Sequence, residues 1–385
     1  MNKIRIGIIG IGNMGTGHIR NITEGKMPDY EIGAVCDTNP SALERIAKTT
    51  SAPQFSDAIA MMDSGLLDAV LIATPHYDHP QIAIEAMKRK LHVMSEKPAG
   101  VFTKQVQQMN DFAKTAGVKF GIMFQTRTID QFKQMKAIVD SGEMGNMKRM
   151  SWIVTDWYRA QCYYDSGDWR ATWSGEGGGV LLNQCPHNLD VLQWICGMPK
   201  LVDAKLHFGK WHDIEVEDDV SAYFEYENGA TGTFVTTTAD APGTNRFEIV
   251  FENGKLLAEN GKLFKYKNEV NEREWCRTTN RGYSAPPCEM TEIELNTTSL
   301  LHSEVMNAFA DAILRGGEMI ADGSEGIRGL TLSNAMHLSA FLGRAVEIPF
   351  DDTLYYEELS KRIATSRRKT GGVAMFHDIG NTYYM

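Results

Sequence analysis

The sequence predicts an α/β fold in two parts: a doubly wound parallel sheet, followed by an α+β domain with an open-faced, mainly antiparallel sheet. Three observations predict this fold. A Gly-x-Gly-x-x-Gly run occupies residues 10–15, where an apolar, β-branched stretch turns into a helical one. Strand and helix patterns then alternate to about residue 125, which is typical of a parallel sheet. From about residue 147, short strand patterns follow one another with tight turns between them, which favours antiparallel pairing.

The glycine run is expected at the turn between the first strand and the first helix. Ile4–Ile9 is short and apolar, as in a buried strand, and Thr16–Thr23 carries apolar residues at helical spacing. In this context the run is typical of a phosphate-binding turn, so we predict an NAD-binding Rossmann domain over residues 1–126. The alternative is a glycine-rich turn without a ligand.

The predicted cofactor contacts follow from the chemistry of that turn. Gly10 permits the tight bend, Gly12 lets the backbone approach a pyrophosphate, and Gly15 lets the helix pack on the strand. We expect the N–H groups at the helix start, at Asn13 and Met14, to hold the phosphates with the help of the helix dipole.

Asp37 ends the next predicted strand, Ile32–Cys36, at the offset expected of an acid that binds the adenosine ribose. A carboxylate accepts a hydrogen bond from the 2′-hydroxyl and repels a 2′-phosphate, so the sequence predicts NAD rather than NADP. Thr38 and Asn39 offer no compensating cation, and we expect Arg45, a helical stretch away, not to reach the site.

Composition and charge exclude several classes of protein. A chain of 385 residues suggests about two domains. A net charge of −10 and a pI near 5.5 argue against a nucleic-acid or anionic-membrane partner. No stretch approaches the ~18 apolar residues of a membrane span. No Cys-x-x-Cys pair occurs, so we expect buried free thiols and a cytoplasmic location; the six cysteines are Cys36, Cys162, Cys185, Cys196, Cys276 and Cys288.

The rest of the first domain alternates strands and helices, with ligands expected at the carboxyl ends of the strands. Further strands are predicted over Asp68–Ala73, Leu91–Ser95 and Lys119–Phe124. Further helices are predicted over Ser41–Lys48, opened by Pro40, over Pro80–Arg89 and over Thr103–Ala116.

Two of these strand ends carry candidate functional residues. Thr74-Pro75-His76-Tyr77-Asp78-His79 follows one strand; the two histidines suggest a metal pair, but no third ligand is evident, so we predict no metal. Glu96-Lys97-Pro98 follows another, and Pro98 forces the chain to turn there, with a cis bond allowed. Lys97 would then point towards the nicotinamide; the alternative is a solvated lysine paired with Glu96.

The second domain is predicted over residues 127–385. Its strands are predicted over Met147–Asp156, Lys205–Phe208, Asp219–Tyr226, Thr231–Ala239 and Phe247–Phe251, and its tight turns at Asn228-Gly229, Asn253-Gly254 and Asn260-Gly261. Residues 298–345 have helical spacing, and the polar tail from about residue 350 cannot be placed.

A glycine triplet, Gly177–Gly179, precedes a helical stretch in this domain. Asn183, His187, Asp190 and Trp194 would share one face of that helix. Since a helix tolerates Pro186 only in its first turn, the helix is expected to begin near Asn183. From the residues alone, His187 is equally well a histidine at the edge of the core.

Together these motifs resemble those of the glucose–fructose oxidoreductase / inositol dehydrogenase / rhizopine catabolism (Gfo/Idh/MocA) family over roughly residues 3–345. The resemblance implies an NAD(P)-dependent dehydrogenase acting on a hydroxyl of a sugar, cyclitol or glycoside. It also implies a homo-oligomer, dimer or tetramer, formed through the C-terminal sheet. The motifs that carry it are Gly10–Gly15, Ala73-Thr74-Pro75 with His79, Glu96-Lys97-Pro98, and Gly177–Gly179 ahead of Asn183, His187 and Asp190.

Site residues carry over from the family position by position. The resemblance implies that Lys97 and His187 are catalytic, and Asn183 stands where the family usually has Asp. It also assigns Thr74, Pro75, His79, Glu96 and Lys97 to the cofactor site, while His76 stands where Asn is common.

An aromatic cluster over residues 152–173 bears on the substrate. Aromatic faces stack on the C–H faces of sugars, and arginines donate to hydroxyls, so this cluster suits a glycoside with an aglycone. The alternative is a core or dimer-interface cluster. We assign Lys97, Arg127, Tyr158, Arg159, Tyr163, Trp169, Arg170, Asn183 and His187 to the substrate site.

Three classes of function remain open at this point. The first is a dehydrogenase that releases NADH. The second uses NAD transiently to oxidise C3 of a glycoside for cleavage or epimerisation, and the third is an NAD-binding regulator without chemistry. For the first, we expect His187 to accept the hydroxyl proton and Lys97 to polarise the substrate oxygen. We expect the Asn183 amide to orient His187 without adding charge, so that the pKa of His187 lies below that of its counterparts in family members with Asp at this position.

Overall fold

The structure is a computed structural model that describes residues 3–367 of the chain. Its first sheet consists of β1 (Ile4–Ile9), β2 (Tyr30–Cys36), β3 (Gln54–Phe55), β4 (Ala69–Ile72), β5 (His92–Ser95) and β6 (Phe120–Ile122). All neighbouring strands are parallel, in the order β3-β2-β1-β4-β5-β6. This confirms the predicted doubly wound sheet.

The helices of this part are α1 (Asn13–Thr23), α2 (Pro40–Ile46), α3 (Ala58–Met62), α4 (His79–Lys88) and α5 (Thr103–Ala116). Helix α1 begins three residues before the predicted start, because its first turn carries no apolar periodicity to mark it. The analysis of the sequence missed β3 and α3, which are two and five residues long and therefore too short to show a period.

The second sheet has nine strands: β7 (Met147–Val154), β8 (Leu201–Phe208), β9 (Glu217–Glu225), β10 (Thr231–Thr237), β11 (Asn245–Phe251), β12 (Gly254–Glu259), β13 (Lys262–Asn268), β14 (Cys288–Ile293) and β15 (Val346–Glu347). Their order is β14-β13-β12-β11-β7-β10-β9-β8-β15. Only β7 and β10 pair in parallel, so the sheet is mainly antiparallel, as predicted. The Asn-Gly turns join β9 to β10, β11 to β12 and β12 to β13.

One face of the second sheet is covered by helices. These covering helices are α6 (Asp130–Asp140), α8 (Pro186–Cys196) and α11 (Gly326–Leu342). The other helices of this part of the chain are the short α7 (Gln161–Asp165), which precedes α8, and α9 (Glu272–Thr278) and α10 (His302–Leu314), which lie between α8 and α11 in the chain. Trp152, Phe234 and Phe247 on the covered face form a buried core with apolar residues of α6, α8 and α11. The opposite face carries exposed side chains, including Ile153 and Tyr223.

The chain after the second sheet returns to the first one. The Tyr30 hydroxyl donates to the Met306 carbonyl of α10 (2.8 Å), and Phe309 packs in the same core as Ile6. The predicted division at residues 126/127 stays a prediction, although α10 lies against the first sheet.

The tail that the sequence could not place contains a helix, α12 (Asp352–Thr365). Its Asp352 accepts a hydrogen bond from Thr103 at the start of α5, and Tyr355 and Leu359 are buried. Residues 368–385 lie outside the described part of the chain.

The six cysteines are free, as expected, but the expectation that they are buried is wrong for three of them. Cys162, Cys276 and Cys288 are exposed, because the first two lie on the short helices α7 and α9 and the third lies on the edge strand β14, and Cys196 is half-buried. Between residues 3 and 367, no helix is long and apolar enough to cross a membrane.

Candidate active site

A cavity of about 1410 Å³ runs from the glycine turn after β1 to the segment 157–170 that follows β7. It is lined by most of the residues that the sequence assigns to cofactor and substrate. These are Gly10, Gly12, Asn13, Met14, Asp37, Thr74, Pro75, His79, Glu96, Lys97, Tyr158, Arg159, Tyr163, Trp169, Arg170, Asn183 and His187. Gly15 and Arg127 are not among the lining residues.

The glycine turn has the geometry that a pyrophosphate requires. Gly10 has φ +92°, and a Cβ there would lie 2.5 Å from the carbonyl oxygen of Ala73. A Cβ on Gly15 would lie 1.9 Å from the Gly10 carbonyl oxygen, so Gly15 serves helix-to-strand packing behind the cavity. A Cβ on Gly12 would meet no atom within 4 Å, so this residue faces open space where the pyrophosphate of NAD fits.

Asp37 lies beside this turn, and a cation lies close to it. Its Oδ2 accepts from the Ile11 N–H (2.7 Å), and its Oδ1 accepts from the Asn39 N–H (2.8 Å). Arg45 Nη2 donates to the Ile11 carbonyl (2.7 Å), and Arg45 lines the cavity. The expectation that Arg45 stays away from the site is therefore wrong, because α2 folds its last turn back over the glycine turn.

Glu96 is buried at the end of β5 and pairs with His18 of α1 (Oε1 to Nε2, 2.8 Å). Burial opposes the charged form of Glu96, but the bond to His18 and the neighbouring cationic groups outweigh it, so the pKa of Glu96 lies below its usual value. This contact leaves the Lys97 ammonium without a carboxylate partner from its own motif.

Lys97 lines the cavity, and the peptide bond that joins it to Pro98 is cis. Its Nζ donates to the Asn183 carbonyl (2.8 Å), so the alternative of a solvated lysine paired with Glu96 is wrong. Burial lowers the pKa of Lys97; Glu96 and Glu176 oppose this shift, and Arg159 and Arg170 add to it.

His187 is the second residue of α8, which begins at Pro186 rather than near Asn183. Pro186 has no N–H to lose and a φ suited to the first helical position, which explains the later start. His187 Nε2 lies 2.9 Å from Nε2 of Gln125. Burial, with further contributions from Lys97 and His302, holds the pKa of His187 well below the usual histidine value.

Asn183 does not orient His187, so this part of the expected mechanism is wrong. Because Asn183 precedes α8, its side chain points elsewhere: Nδ2 donates to Oε1 of Glu176, and Oδ1 accepts from the Tyr163 hydroxyl (3.4 Å). The prediction that the pKa of His187 lies below that of its family counterparts stays a prediction; the shift that the structure shows, from the usual histidine value, is caused by burial.

Glu176 and Gln125 are site residues that the sequence analysis missed. Glu176 Oε2 accepts from the Ala171 N–H (2.6 Å), and burial raises the pKa of this carboxyl. Gln125 lies three residues after β6, at the carboxyl end of a parallel strand, and that position was the available signal. Glu176 comes directly before the glycine triplet, but nothing in its spacing marks it.

Arg127 belongs to a buried ion pair rather than to the substrate site, so its assignment is wrong. Its Nε and Nη2 each donate to Asp190 at 2.7 Å, and its Nη1 lies 3.0 Å from Glu325. Three N–H groups of the guanidinium therefore join the segment after β6 to Asp190 of α8 and to Glu325 before α11.

The aromatic cluster divides between the cavity and the core. Trp157, Tyr158, Tyr163 and Trp169 line the cavity, whereas Trp152, Trp173 and Tyr164 are buried. The core interpretation thus applies to part of the cluster, and the substrate role of the part that lines the cavity stays a prediction. The cluster divides in this way because β7 alternates its faces, while the irregular segment after it crosses the cavity mouth.

His76 and His79 both contact the backbone of the site. His79 Nδ1 and Nε2 each lie 2.8 Å from a carbonyl oxygen, of Pro98 and Thr74 respectively, and His76 Nδ1 lies 3.3 Å from that of Glu176. These rings therefore join the strand-end loops to one another. In the described range 3–367, no group of three His, Cys, Asp or Glu side chains has the arrangement of a metal site.

Comparison with known proteins is consistent with this geometry. Residues 4–124 match the model of an oxidoreductase family with an NAD-binding Rossmann fold, and residues 132–257 match the model of the GFO/IDH/MocA C-terminal domain. The chain is 28% identical over 199 residues to the rhizopine catabolism protein MocA of Rhizobium meliloti, covering 51% of this chain and 58% of that protein.

Two longer matches extend the comparison. The chain is 25% identical over 366 residues to the D-glucoside 3-dehydrogenase of Escherichia coli (strain K12), covering 90% of this chain and 98% of that protein. The WlbA dehydrogenase from Bordetella pertussis, solved in complex with NADH and UDP-GlcNAcA, superposes with a TM-score of 0.76 at 28% identity, covering 91% of this chain and 100% of that one.

Proposed function

The chain belongs to the Gfo/Idh/MocA family of NAD-binding oxidoreductases. We therefore propose that the protein uses NAD to oxidise a secondary hydroxyl of a sugar, cyclitol or glycoside that binds in this cavity. The observation that carries this proposal is the shared cavity. It joins the glycine turn and Asp37 at one end to Lys97, His187 and an aromatic wall at the other. A relative that spans nearly the whole chain is a D-glucoside 3-dehydrogenase, which supports a carbohydrate substrate.

The residues of the glycine turn would hold NAD, whose nicotinamide accepts the hydride when it is bound. The backbone N–H groups at the start of α1 face the open space beside Gly12, where they would donate to the pyrophosphate. Asp37 would accept from the ribose hydroxyls.

Lys97 and His187 divide the handling of the substrate hydroxyl. The Lys97 ammonium uses one N–H on the Asn183 carbonyl, which leaves two for the substrate oxygen. His187 is uncharged at neutral pH because burial lowers its pKa, and it is therefore able to accept the hydroxyl proton. The Gln125 Nε2 amide donates to His187 Nε2, which places the hydrogen of the neutral ring on Nδ1, so Nε2 accepts the substrate proton when the hydroxyl replaces Gln125 as its donor.

The aromatic residues at the far end favour a glycoside over a free sugar. Trp157, Tyr158 and Trp169 present more apolar surface than one sugar ring covers, so an aglycone would gain contact with them. Higher kcat/KM for aryl glycosides than for the matching free sugars is the expected result, and equal values would contradict a glycoside substrate.

The proposal is tested by following NADH absorbance with a panel of sugars, cyclitols and glycosides. Lys97→Ala and His187→Ala should each lower kcat by about 100-fold or more, the lower range for a lost proton-transfer group, while the Kd of NAD changes little. Lys114→Ala, a change at an exposed lysine of α5, is the matched control.

Three outcomes would contradict the assignment. Near-normal kcat in His187→Ala would place the proton on another group. Product formed without NADH would indicate recycling of the cofactor within each turnover. NAD binding without turnover of any substrate would favour a regulator.

A further inference from the structure

Two arginines meet at one aromatic ring in the substrate end of the cavity. The Arg170 guanidinium carbon lies 4.6 Å from the Tyr163 ring centroid, and that of Arg159 lies 5.3 Å from the same centroid. Arg170 also lies 4.7 Å from the ring of Trp169. All four residues line the cavity, so the two cations are held by aromatic faces rather than projecting into solvent.

Most hydrogen-bond donors of these guanidiniums remain available. Nη1 of Arg170 donates to the Tyr163 hydroxyl (2.9 Å), and Nη1 of Arg159 donates to the Tyr158 carbonyl (2.8 Å). Within residues 3–367, the Nε and Nη2 groups of both arginines make no hydrogen bond, and neither arginine has a carboxylate within 4.0 Å. Asp168, which also lines the cavity, is exposed and pairs with neither of them.

A third cation lies near these two. This cation is the Lys97 ammonium. The positive charges of Arg159 and Arg170 are close enough to repel it and thereby to lower the pKa of Lys97. The nearby Glu176 carboxyl accepts from Ala171 and Asn183, and its electrostatic interaction with Arg170 and Lys97 offsets part of this positive charge. Holding several cations together in a partly buried cavity costs free energy unless an anion joins them.

We propose that Arg159 and Arg170 form a subsite for an anionic substituent of the substrate, a carboxylate or a phosphate. A guanidinium presents paired N–H groups whose spacing matches the two oxygens of either group, whereas a neutral hydroxyl would use only one of them. With the anion at these arginines, the reacting hydroxyl lies towards Lys97. This inference rests on the proposed function, because it names the class of sugar that the same site oxidises.

The test compares matched substrates that differ in charge. The pairs are glucose with glucuronate and galactose with galacturonate, each tested as the free sugar and as the 4-nitrophenyl glycoside. Glucose 6-phosphate is compared with glucose and glucuronate, which distinguishes a preference for phosphate from one for carboxylate. At least one anionic member should show a kcat/KM ten times or more that of its neutral partner. Arg159→Gln and Arg170→Gln should each remove most of this preference.

The controls separate the subsite from general effects of charge. Arg170→Lys keeps the charge but loses the paired donors, and should retain only part of the preference. Arg277→Gln removes a cation from the exposed helix α9 and should leave the preference unchanged. The Kd of NAD should be the same in all variants, since the arginines lie away from the glycine turn.

Binding to the NADH-loaded protein is measured in parallel by calorimetry with glucuronate, galacturonate, glucose 6-phosphate and glucose. Turnover of neutral sugars without any preference for the anionic partners would overturn the subsite and leave the proposed function standing. No turnover at all would overturn the proposed function. In that case, anion binding that calorimetry detects in the unchanged protein, and that is lost in both Arg159→Gln and Arg170→Gln, would support the subsite. Anion binding that persists in these variants, or no anion binding at all, would overturn it.

Discussion

Asp37 and Arg45 contact opposite ends of the Ile11 residue, the carboxylate its N–H and the guanidinium its carbonyl. The Asp37 carboxylate would repel a 2′-phosphate bound beside this turn. We therefore expect NAD to be preferred over NADP by well over tenfold, which corresponds to more than about 1.4 kcal/mol.

Replacing Asp37 should narrow that preference. In Asp37→Ala the carboxylate that repels a 2′-phosphate is gone, while Arg45, which donates to the Ile11 carbonyl of the same turn, remains, so kcat/KM with NADP should rise. The double variant Asp37→Ala/Arg45→Gln should lose this gain. Equal kcat/KM for the two cofactors in the unchanged protein would refute the role of Asp37.

Asn183 donates to a buried carboxyl, so introducing the acid that the family usually has at this position would place two carboxyls in contact. Two carboxylates this close cannot both ionise, and burial already raises the pKa of Glu176. In Asn183→Asp the folded-state pKa of this pair would lie further above the unfolded value. The folded state then holds an extra proton, and stability falls as pH rises through the raised pKa.

We therefore expect Asn183→Asp to lower the Tm more at about pH 8 than at about pH 5, relative to the unchanged protein. The variant Asn183→Asp/Glu176→Gln should recover the loss, because the introduced amide donates to the new carboxylate. A Tm difference that is the same at both pH values would show that the two side chains do not meet.

At the scale of elements, the segment between the glycine triplet and α8 is held by one buried carboxylate. Glu217 of β9 accepts from the N–H groups of Gly179 (2.8 Å) and Leu181 (2.9 Å), and pairs with His337 of α11 (2.9 Å). This contact positions the segment that carries Asn183, and therefore the acceptor of Lys97. The catalytic groups thus depend on a connection between the second sheet and α11.

Gly179 has no space for a side chain at this connection. A Cβ there would lie 2.0 Å from the Glu217 carbonyl oxygen, so Gly179→Ala should force the backbone apart and cost roughly 1–3 kcal/mol or more. Gly17→Ala in α1 is the matched control: its Cβ would meet nothing within 4 Å, so stability should rise by roughly 0.5–1 kcal/mol. Denaturant unfolding measures both, and a Gly179→Ala protein as stable as the control would contradict the tight fit.

At the scale of the whole molecule, the face of the second sheet that the helices leave uncovered is the candidate surface for oligomer formation. Ile153 and Tyr223 lie on this face, and each pairs with β10 in register, at Val235 and Thr233. Both are exposed, at 39% and 38%, and the helices cover the other face. We therefore keep the prediction of a homo-oligomer formed through this sheet.

Sedimentation velocity should show a dimer or tetramer, and Ile153→Lys with Tyr223→Lys should shift it towards monomer, because two buried charges would face their own copies across the interface. Ile59→Lys, at an equally exposed position on α3, should not change the mass. A monomeric wild-type protein would contradict the prediction.

Local patterns were sufficient to predict the strand-to-helix glycine turn, the change from parallel to antiparallel pairing, and the chain position of Asp37, whereas Lys97 and His187 were assigned through the resemblance to the family. Each of the local patterns depends on residues close together in the chain: a glycine with positive φ, the period of an apolar stretch, a charged residue at a strand end. The tight Asn-Gly turns were predictable for the same reason.

The contacts of those side chains were decided by segments distant in the chain. Arg127 and Asp190 are 63 residues apart, Gln125 and His187 are 62 apart, and Lys97 and the Asn183 carbonyl are 86 apart. No periodicity reports which partner a buried polar group finds, because that choice follows from how the two sheets and α8 pack together. The sequence therefore predicted most of the residues that line the site, and packing determined that Arg127 forms an ion pair, that Gln125 donates to His187, and that Arg45 donates to the glycine turn.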